Sequence, residues 1–211
     1  MQEKTIQAVI FDYGNVLCVP QPREDVVAMA EIFGLPLDRF EELYWRKRLP
    51  YDRTEMTPEE YWEDFQRMAG VEPSPDRARR AMALDCRSWA HPNPAMIAWA
   101  KRVRESGFKT AILSNMPLSL RVYLDAEHPW IHEFDHRVFS CDVGMAKPEL
   151  AIYALCLRGL GVEAEDSLFL DDRAENIGAA HKAGLRGLLF STAGQAAQEL
   201  NGRYGLPALA A

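Results

Sequence analysis

The sequence predicts an α/β fold: a Rossmann-like parallel sheet with helices on both faces, interrupted after its first strand by a helical block. Three observations carry that expectation. Ala8 to Phe11 is a continuous apolar run that stops on an ionisable residue, Asp12, with the turn formers Gly14 and Asn15 close behind. Such a run suits a strand buried on both faces, and the carboxyl end of a strand in an open sheet is where ligands gather. From Pro20 to about Trp89 the apolar residues recur at helical spacing, with no strand pattern. From His91 onward, short β-rich runs alternate with helical stretches, as in a parallel sheet.

Within the helical block, Val26, Val27, Ala30 and Phe33 share one face, with Gly34 as the stop. Leu37, Phe40, Leu43 and Tyr44 make a second stripe. Thr57, Pro58 and Glu60 supply a cap, a proline suited to the first helical position and a capping box for a third helix. Tyr61, Trp62, Phe65 and Met68 are its apolar face, and Ser74-Pro75 opens a fourth helix carrying Ala78, Ala81 and Met82. In the alternating part, Asn93-Pro94 opens a helix with Ile97, Ala100 and Val103 inward. Strands are expected over 110–113, 138–139, 167–170 and 187–190, and helices after Pro117, over 148–157, over 174–183 and before Asn201. The implied division is a core of residues 1–19 and 90–211 and an inserted helical cap of residues 20–89.

With 211 residues, 48% hydrophobic and 26% charged, the chain has the balance of a soluble globular protein that buries a substantial core. A formal charge of -7 argues against nucleic acid or an anionic membrane as partner. No apolar run is long enough to span a bilayer. Met1 to Thr5 lacks the basic and apolar regions of a signal peptide. Cys18, Cys86, Cys141 and Cys156 are scattered without a C-x-x-C pair, which suits reduced thiols in a cytoplasmic protein. His128, His132 and His136 have the spacing of ligands on one helix face, but Pro129 argues against a continuous helix there.

Three polar clusters join Asp12 at the ends of predicted elements. Ser114-Asn115 follows the apolar Ala-Ile-Leu strand, Lys147-Pro148 precedes a helix, and Asp171-Asp172 ends the strand Leu-Phe-Leu. Alone, the first suits a turn or cap and the second a solvated surface lysine. Two adjacent carboxylates after a buried strand repel one another and call for a cation. In this order the clusters resemble the four motifs of the haloacid dehalogenase superfamily, most of whose members are magnesium-dependent phosphatases. The strand into Asp12 resembles motif one, and Leu113-Ser114-Asn115 resembles motif two. Met145-Ala146-Lys147-Pro148-Glu149 resembles motif three, and Phe169-Leu170-Asp171-Asp172 with Asn176-Ile177 resembles motif four. The helical block matches the cap of the type-one subgroup. The wording Asp-x-Gly-Asn, Leu-Ser-Asn and Gly-Met-x-Lys-Pro-Glu is similar to that of bacterial sugar-phosphate phosphatases of the glucose-1-phosphatase kind.

The resemblance implies a HAD-like hydrolase that cleaves a small phosphorylated metabolite, a sugar phosphate being favoured, through an aspartyl-phosphate intermediate. Asp12 is the expected nucleophile, because carboxylates form covalent phosphoryl intermediates. Lys147 and the Ser114 hydroxyl offset the charge that develops on the transferred group. The backbone amides of Tyr13 and Asn115, together with Gly14, line the phosphate. Asp12, the Gly14 carbonyl, Asp172 and Asp171 supply oxygens for Mg²⁺, which prefers hard donors in near-octahedral geometry. Asn176 orients Lys147 or the acidic pair. Between the second and third cap helices, Trp45, Arg46, Arg48, Tyr51 and Asp52 are placed to meet the leaving group. One position departs from the family pattern. Where its phosphatases carry a second Asp as general acid and base, this chain has Gly14. The alternatives are a metal-free 2-haloacid dehalogenase and a catalytically weak phosphate-ester-binding protein.

Overall fold

The computed structural model describes residues 6–210; the stretch Met1–Thr5, read as free of a signal peptide, lies outside the described residues. In chain order the elements are β1 (Ala8–Phe11), α1 (Arg23–Ile32), α2 (Leu37–Arg46), α3 (Arg48–Asp52), α4 (Pro58–Met68) and α5 (Pro75–Ser88). Then come α6 (Pro94–Glu105), β2 (Lys109–Ser114), α7 (Leu118–Glu127), β3 (His136–Phe139), α8 (Ser140–Val143) and α9 (Leu150–Leu160). β4 (Ser167–Asp171), α10 (Ala174–Lys182), β5 (Arg186–Leu189) and α11 (Ala193–Leu200) complete the described chain.

The strands form one sheet in the order β3-β2-β1-β4-β5, with every neighbouring pair parallel. β1 is central, with Phe11 level with Ile112 on one side and Leu170 on the other. All four residues of β1 are fully buried, as its apolar run predicts. Val9 and Phe11 pack into the layer that holds Met96, Trp99 and Val103 of α6, while Ala8 and Ile10 join Ile152, Tyr153 and Cys156 of α9. Because the strands are parallel, their carboxyl ends share one edge. The register therefore brings Asp12, Ser114 and Asp171 together, although more than 150 residues separate the first from the last.

The helices α1 to α5 surround an apolar cluster of their own, centred on Met29, Phe33, Phe40, Trp62 and Phe65. Thr57 caps α4 as expected: its hydroxyl accepts from the Glu60 amide at 3.1 Å, and its amide donates to the Glu60 carboxylate at 2.7 Å. Two sequence expectations are corrected. The block contains five helices rather than four, because the connector after Arg46 closes into the short α3. Its Arg48 and Asp52 form an i,i+4 ion pair that favours a helical turn. In α1, Val26 and Val27 are only half-buried, and Met29 with Ala30 takes the inward face.

His128 ends α7, His132 lies in a 3₁₀ turn and His136 sits on β3, so the three histidines share no helix. All four cysteines are free and buried. Among the described residues, no helix is long and apolar enough to cross a membrane.

Candidate active site

The chain leaves β1 through a tight turn. Asn15 adopts φ 57°, a left-handed conformation that asparagine tolerates better than most residues. The turn brings the Asn15 side-chain amide to 2.7 Å from Asp172 Oδ2. Asp12 Oδ1 accepts from the Tyr13 amide at 2.7 Å, which orients the carboxylate at the sheet edge. That bond engages the amide expected to line the phosphate. The Tyr13 ring is buried, stacks on Trp130 and donates its hydroxyl hydrogen to the Trp89 carbonyl at 2.8 Å. Tyr13 thus serves the fold at this edge.

Lys147 is almost completely buried, contrary to its reading as a surface lysine in isolation. Its ammonium lies 2.9 Å from Asp12 Oδ1 and 2.6 Å from Asp171 Oδ2. Burial works against the ammonium, but the two carboxylates outweigh it and hold its pKa above the ordinary value. Burial raises the Asp12 carboxyl; Lys147 opposes that rise, Asp171 adds to it, and the Ser114 hydroxyl lowers it. Asn115 fixes the lysine from the other side. Its side-chain carbonyl accepts from the Lys147 amide and its amide donates to the Lys147 carbonyl, both at 2.9 Å. The second and third clusters are therefore joined by a direct two-way clamp, which the sequence reading did not anticipate.

The adjacent acids do different things. Asp171 is fully buried, and its oxygens accept from Lys147, from the Arg173 amide at 2.8 Å and from Asn176 at 3.0 Å on each oxygen. With its lone pairs committed, it acts as an anchor for Lys147; Asn176, expected to orient Lys147 or the acidic pair, donates to both oxygens of Asp171. Asp172 is half-buried and lines the cavity. Oxygens of Asp12, Asp171 and Asp172 lie within 4.8 Å of one another. Asn15 Oδ1, buried beside them, has no hydrogen-bond partner among the described residues.

A cavity of about 510 Å³ opens between this edge and the helical block. The sheet side contributes Asp12, Gly14, Ser114, Lys147 and Asp172, and the facing side contributes Trp45, Arg48, Leu49, Asp52 and Trp89. Its size suits a small ligand. Arg48 is buried and donates to Asp52 at 2.9 Å through Nε and to Asp85 at 3.1 Å through Nη1. It also bonds the Tyr44 hydroxyl, which donates to Asp85 at 2.5 Å. Trp89 Nε1 donates to the same tyrosine oxygen at 2.9 Å, so a continuous polar network backs this wall.

Tyr51 does not reach the cavity lining. It stacks on Tyr61 with centroids 4.2 Å apart and bonds Ser119 of α7 at 2.6 Å, so it fastens the helical block to the sheet layer. Sequence reasoning also missed Asp85, Trp89, Ser140 and Arg173. Asp85 is an acid on the inward face of α5, and Arg173 follows the acidic pair directly, so both left a signal. Trp89 resembled any packing tryptophan, and nothing in the sequence marks Ser140.

Comparison with known proteins places this geometry in a class. A family model described as haloacid dehalogenase-like hydrolase matches residues 6–184, and the chain belongs to that family. It is 28% identical to a phosphatase of Mycobacterium tuberculosis, over 90% of this chain and 90% of the relative. A glyceraldehyde 3-phosphate phosphatase of Methanopyrus kandleri is 26% identical, over 85% of this chain and 82% of the relative. Acyl-CoA dehydrogenase family member 10 of mouse is 26% identical over 97% of this chain, which spans only 20% of that longer protein. Among solved structures, a family enzyme of Bacteroides thetaiotaomicron in complex with magnesium and inorganic phosphate superposes with a TM-score of 0.73 at 20% identity. The match covers 88% of this chain and 94% of that one, and it shows the shared fold.

Proposed function

We propose that this hydrolase is a Mg²⁺-dependent phosphatase of small phosphomonoesters, sugar phosphates being favoured. The observation that carries the reading is the placement of Lys147 Nζ, 2.9 Å from Asp12 and 2.6 Å from Asp171, in the lining of a cavity that Asp172 also lines. A carboxylate paired with one buried cation at a sheet edge suits attack on phosphorus, and the cation offsets charge on the transferred group. Phosphatase relatives that match most of their own length support the same chemistry.

The donor set fits magnesium. Asp12 and Asp172 offer hard oxygens close together, Asn15 holds Asp172 in place, and the Gly14 carbonyl is a further candidate ligand. Asp171 would stand behind them, because its oxygens already hold Lys147, Asn176 and the Arg173 amide. When bound, the ion neutralises phosphate charge and so lets two anions, carboxylate and phosphate, approach. The residues do the rest. An Asp12 oxygen bonds to phosphorus as the ester oxygen leaves, Lys147 and Ser114 hold the phosphoryl oxygens, and water then releases phosphate and restores Asp12. The helical block serves as the cap over this site, with Trp45, Arg48 and Asp52 meeting the leaving group. A wall of indole rings with charged groups suits a polyol with both apolar and hydroxyl faces.

A panel of sugar, nucleotide and organic-acid phosphates tests the proposal. Phosphate release with Mg²⁺, its loss with EDTA and its return on added Mg²⁺ are expected. Halide release from a 2-haloacid in EDTA, without phosphatase activity, would instead mark a dehalogenase.

A further inference from the structure

The hydrolysis proposed above needs a proton for the departing oxygen, and the position after Tyr13 is a glycine without a side chain. The cavity lining narrows the possible donors. Among the described residues, no histidine or cysteine lines it. Asp12 and Asp172 are assigned to nucleophile and metal, and Lys147 is held as a cation between two carboxylates. The Tyr13 hydroxyl is committed to the Trp89 carbonyl, and burial raises its pKa far above the ordinary tyrosine value. Glu175 sits at the rim, paired with Arg173 and more than half exposed. The remaining acid is Asp52.

Three features distinguish Asp52. It lines the cavity from α3 of the helical block, whereas Asp12 lines it from the end of β1. In-line displacement at phosphorus places the leaving oxygen on the side away from the nucleophile, so a donor from a different element than β1 is needed to meet it. Its position is registered to the phosphate end of the site by the buried Ser140 hydroxyl. That hydroxyl donates to the Asp52 carbonyl at 2.6 Å and accepts from the Met116 amide at 2.9 Å, just after Ser114-Asn115. The charge count also favours a proton. One buried guanidinium, Arg48, faces two buried carboxylates, Asp52 and Asp85, so one acid is left without a full countercharge. Of those two acids, only Asp52 lines the cavity.

We propose that Asp52, carried on α3 and held in register by Ser140, is the general acid and base of this active site. The assignment rests on the phosphatase reading. In the first step, an Asp12 oxygen bonds to phosphorus, and the electrons of the breaking P–O bond pass to the ester oxygen, which takes the Asp52 proton and leaves as an alcohol. In the second, the water oxygen attacks phosphorus while the Asp52 carboxylate takes a proton from that water. The P–O bond to Asp12 breaks, its electrons return to the Asp12 carboxylate, and inorganic phosphate departs. Burial raises the Asp52 carboxyl to about 6, against the opposing pull of Arg48 and Arg173 and with Asp85 reinforcing it, so both protonation states are accessible near neutral pH.

Single-turnover rates on a series of aryl and alkyl phosphates with Mg²⁺ isolate the first chemical step. In the unmodified protein, log rate should vary only weakly with leaving-group pKa. The ratio of alkyl to aryl rates should fall as pH rises from about 5 to about 8, because Asp52 loses its proton. Asp52→Asn, which keeps the shape, should lower alkyl phosphate rates by about 100-fold or more and aryl rates by less than about 10-fold. Its alkyl-to-aryl ratio should no longer depend on pH. In the Asp52→Asn background, Gly14→Asp should recover part of the alkyl loss. A steep dependence on leaving-group pKa in the unmodified protein overturns the assignment, whether or not the variant folds. So do equal losses on both ester classes in a folded Asp52→Asn protein. Absence of turnover on every ester, activated aryl phosphates included, is a different result: it overturns the phosphatase reading itself.

Discussion

Lys147 Nζ stands 2.6 Å from Asp171 Oδ2, in a pair from which solvent is almost wholly excluded. Truncating Asp171 leaves Lys147 paired with Asp12 alone and takes the acceptor from the Asn176 amide and the Arg173 backbone amide. A buried donor left unsatisfied costs about 1–3 kcal/mol. Asp171→Ala should therefore lower unfolding free energy by about that amount, measured by urea denaturation with circular dichroism. Asp171 would be cleared of the anchoring role by a loss below about 1 kcal/mol, the range of an ordinary surface substitution.

Its neighbour should behave differently. Asp172 is half-buried, and its hydrogen bond to Asn15 is to a neutral amide. Asp172→Ala is expected to change stability by about 1 kcal/mol or less while raising the Mg²⁺ concentration needed for half-maximal activity by at least about tenfold. Identical Mg²⁺ titrations for the two proteins would remove Asp172 from the ligand set.

For the nucleophile, the change is chemical rather than structural. Asp12→Asn retains the shape at the end of β1 and should reduce phosphate release by more than about a thousandfold. Near-normal turnover with a folded Asn variant would require another nucleophile.

Gly14 invites a backbone prediction. Its φ of -60° and ψ of 129° are open to any L-residue, and a Cβ there would meet only Trp89, at 3.8 Å. The glycine is therefore not demanded by strain or crowding. Gly14→Ala should leave stability unchanged or raise it by about 0.4–1 kcal/mol, since alanine narrows the unfolded ensemble. Loss of more than about 2 kcal/mol in a thermal or urea melt would show that the turn needs a bare backbone.

Asp52 also makes stability depend on pH. Its carboxyl is raised from 3.8 to about 6 chiefly by burial, so the folded chain binds that proton more tightly than the unfolded chain. This contribution is fully present below about pH 4 and is lost as pH climbs through about 6. Subtracting the Asp52→Asn stability curve from that of the unmodified protein should give a difference that falls between those limits. A flat difference would contradict the raised carboxyl.

Much of this was legible in the chain because it is local. Four apolar residues ending on Asp12, the Thr57–Glu60 capping box and the alternation after His91 report strands, caps and helices, which depend on neighbours in sequence. Parallel pairing then puts strand ends on one edge, so Asp12, Ser114 and Asp171 could be expected together without their distances. What tertiary structure alone decided is which atom each group meets. Asp171 and Asp172 are adjacent and chemically alike in sequence, yet β4 ends at Asp171, whose carboxylate meets Lys147 and Asn176, and the chain turns at Asp172, whose carboxylate lines the cavity. Arg48 and Tyr51 looked like equivalent cap residues. Packing of α3 against α5 and α7 sends Arg48 to Asp85 and Tyr51 to Ser119, and leaves Asp52 on the cavity wall. Ser140, one serine among several, acquires its place only because β3 ends beside both Met116 and Asp52. Such assignments join residues far apart in the chain, and no local pattern encodes them.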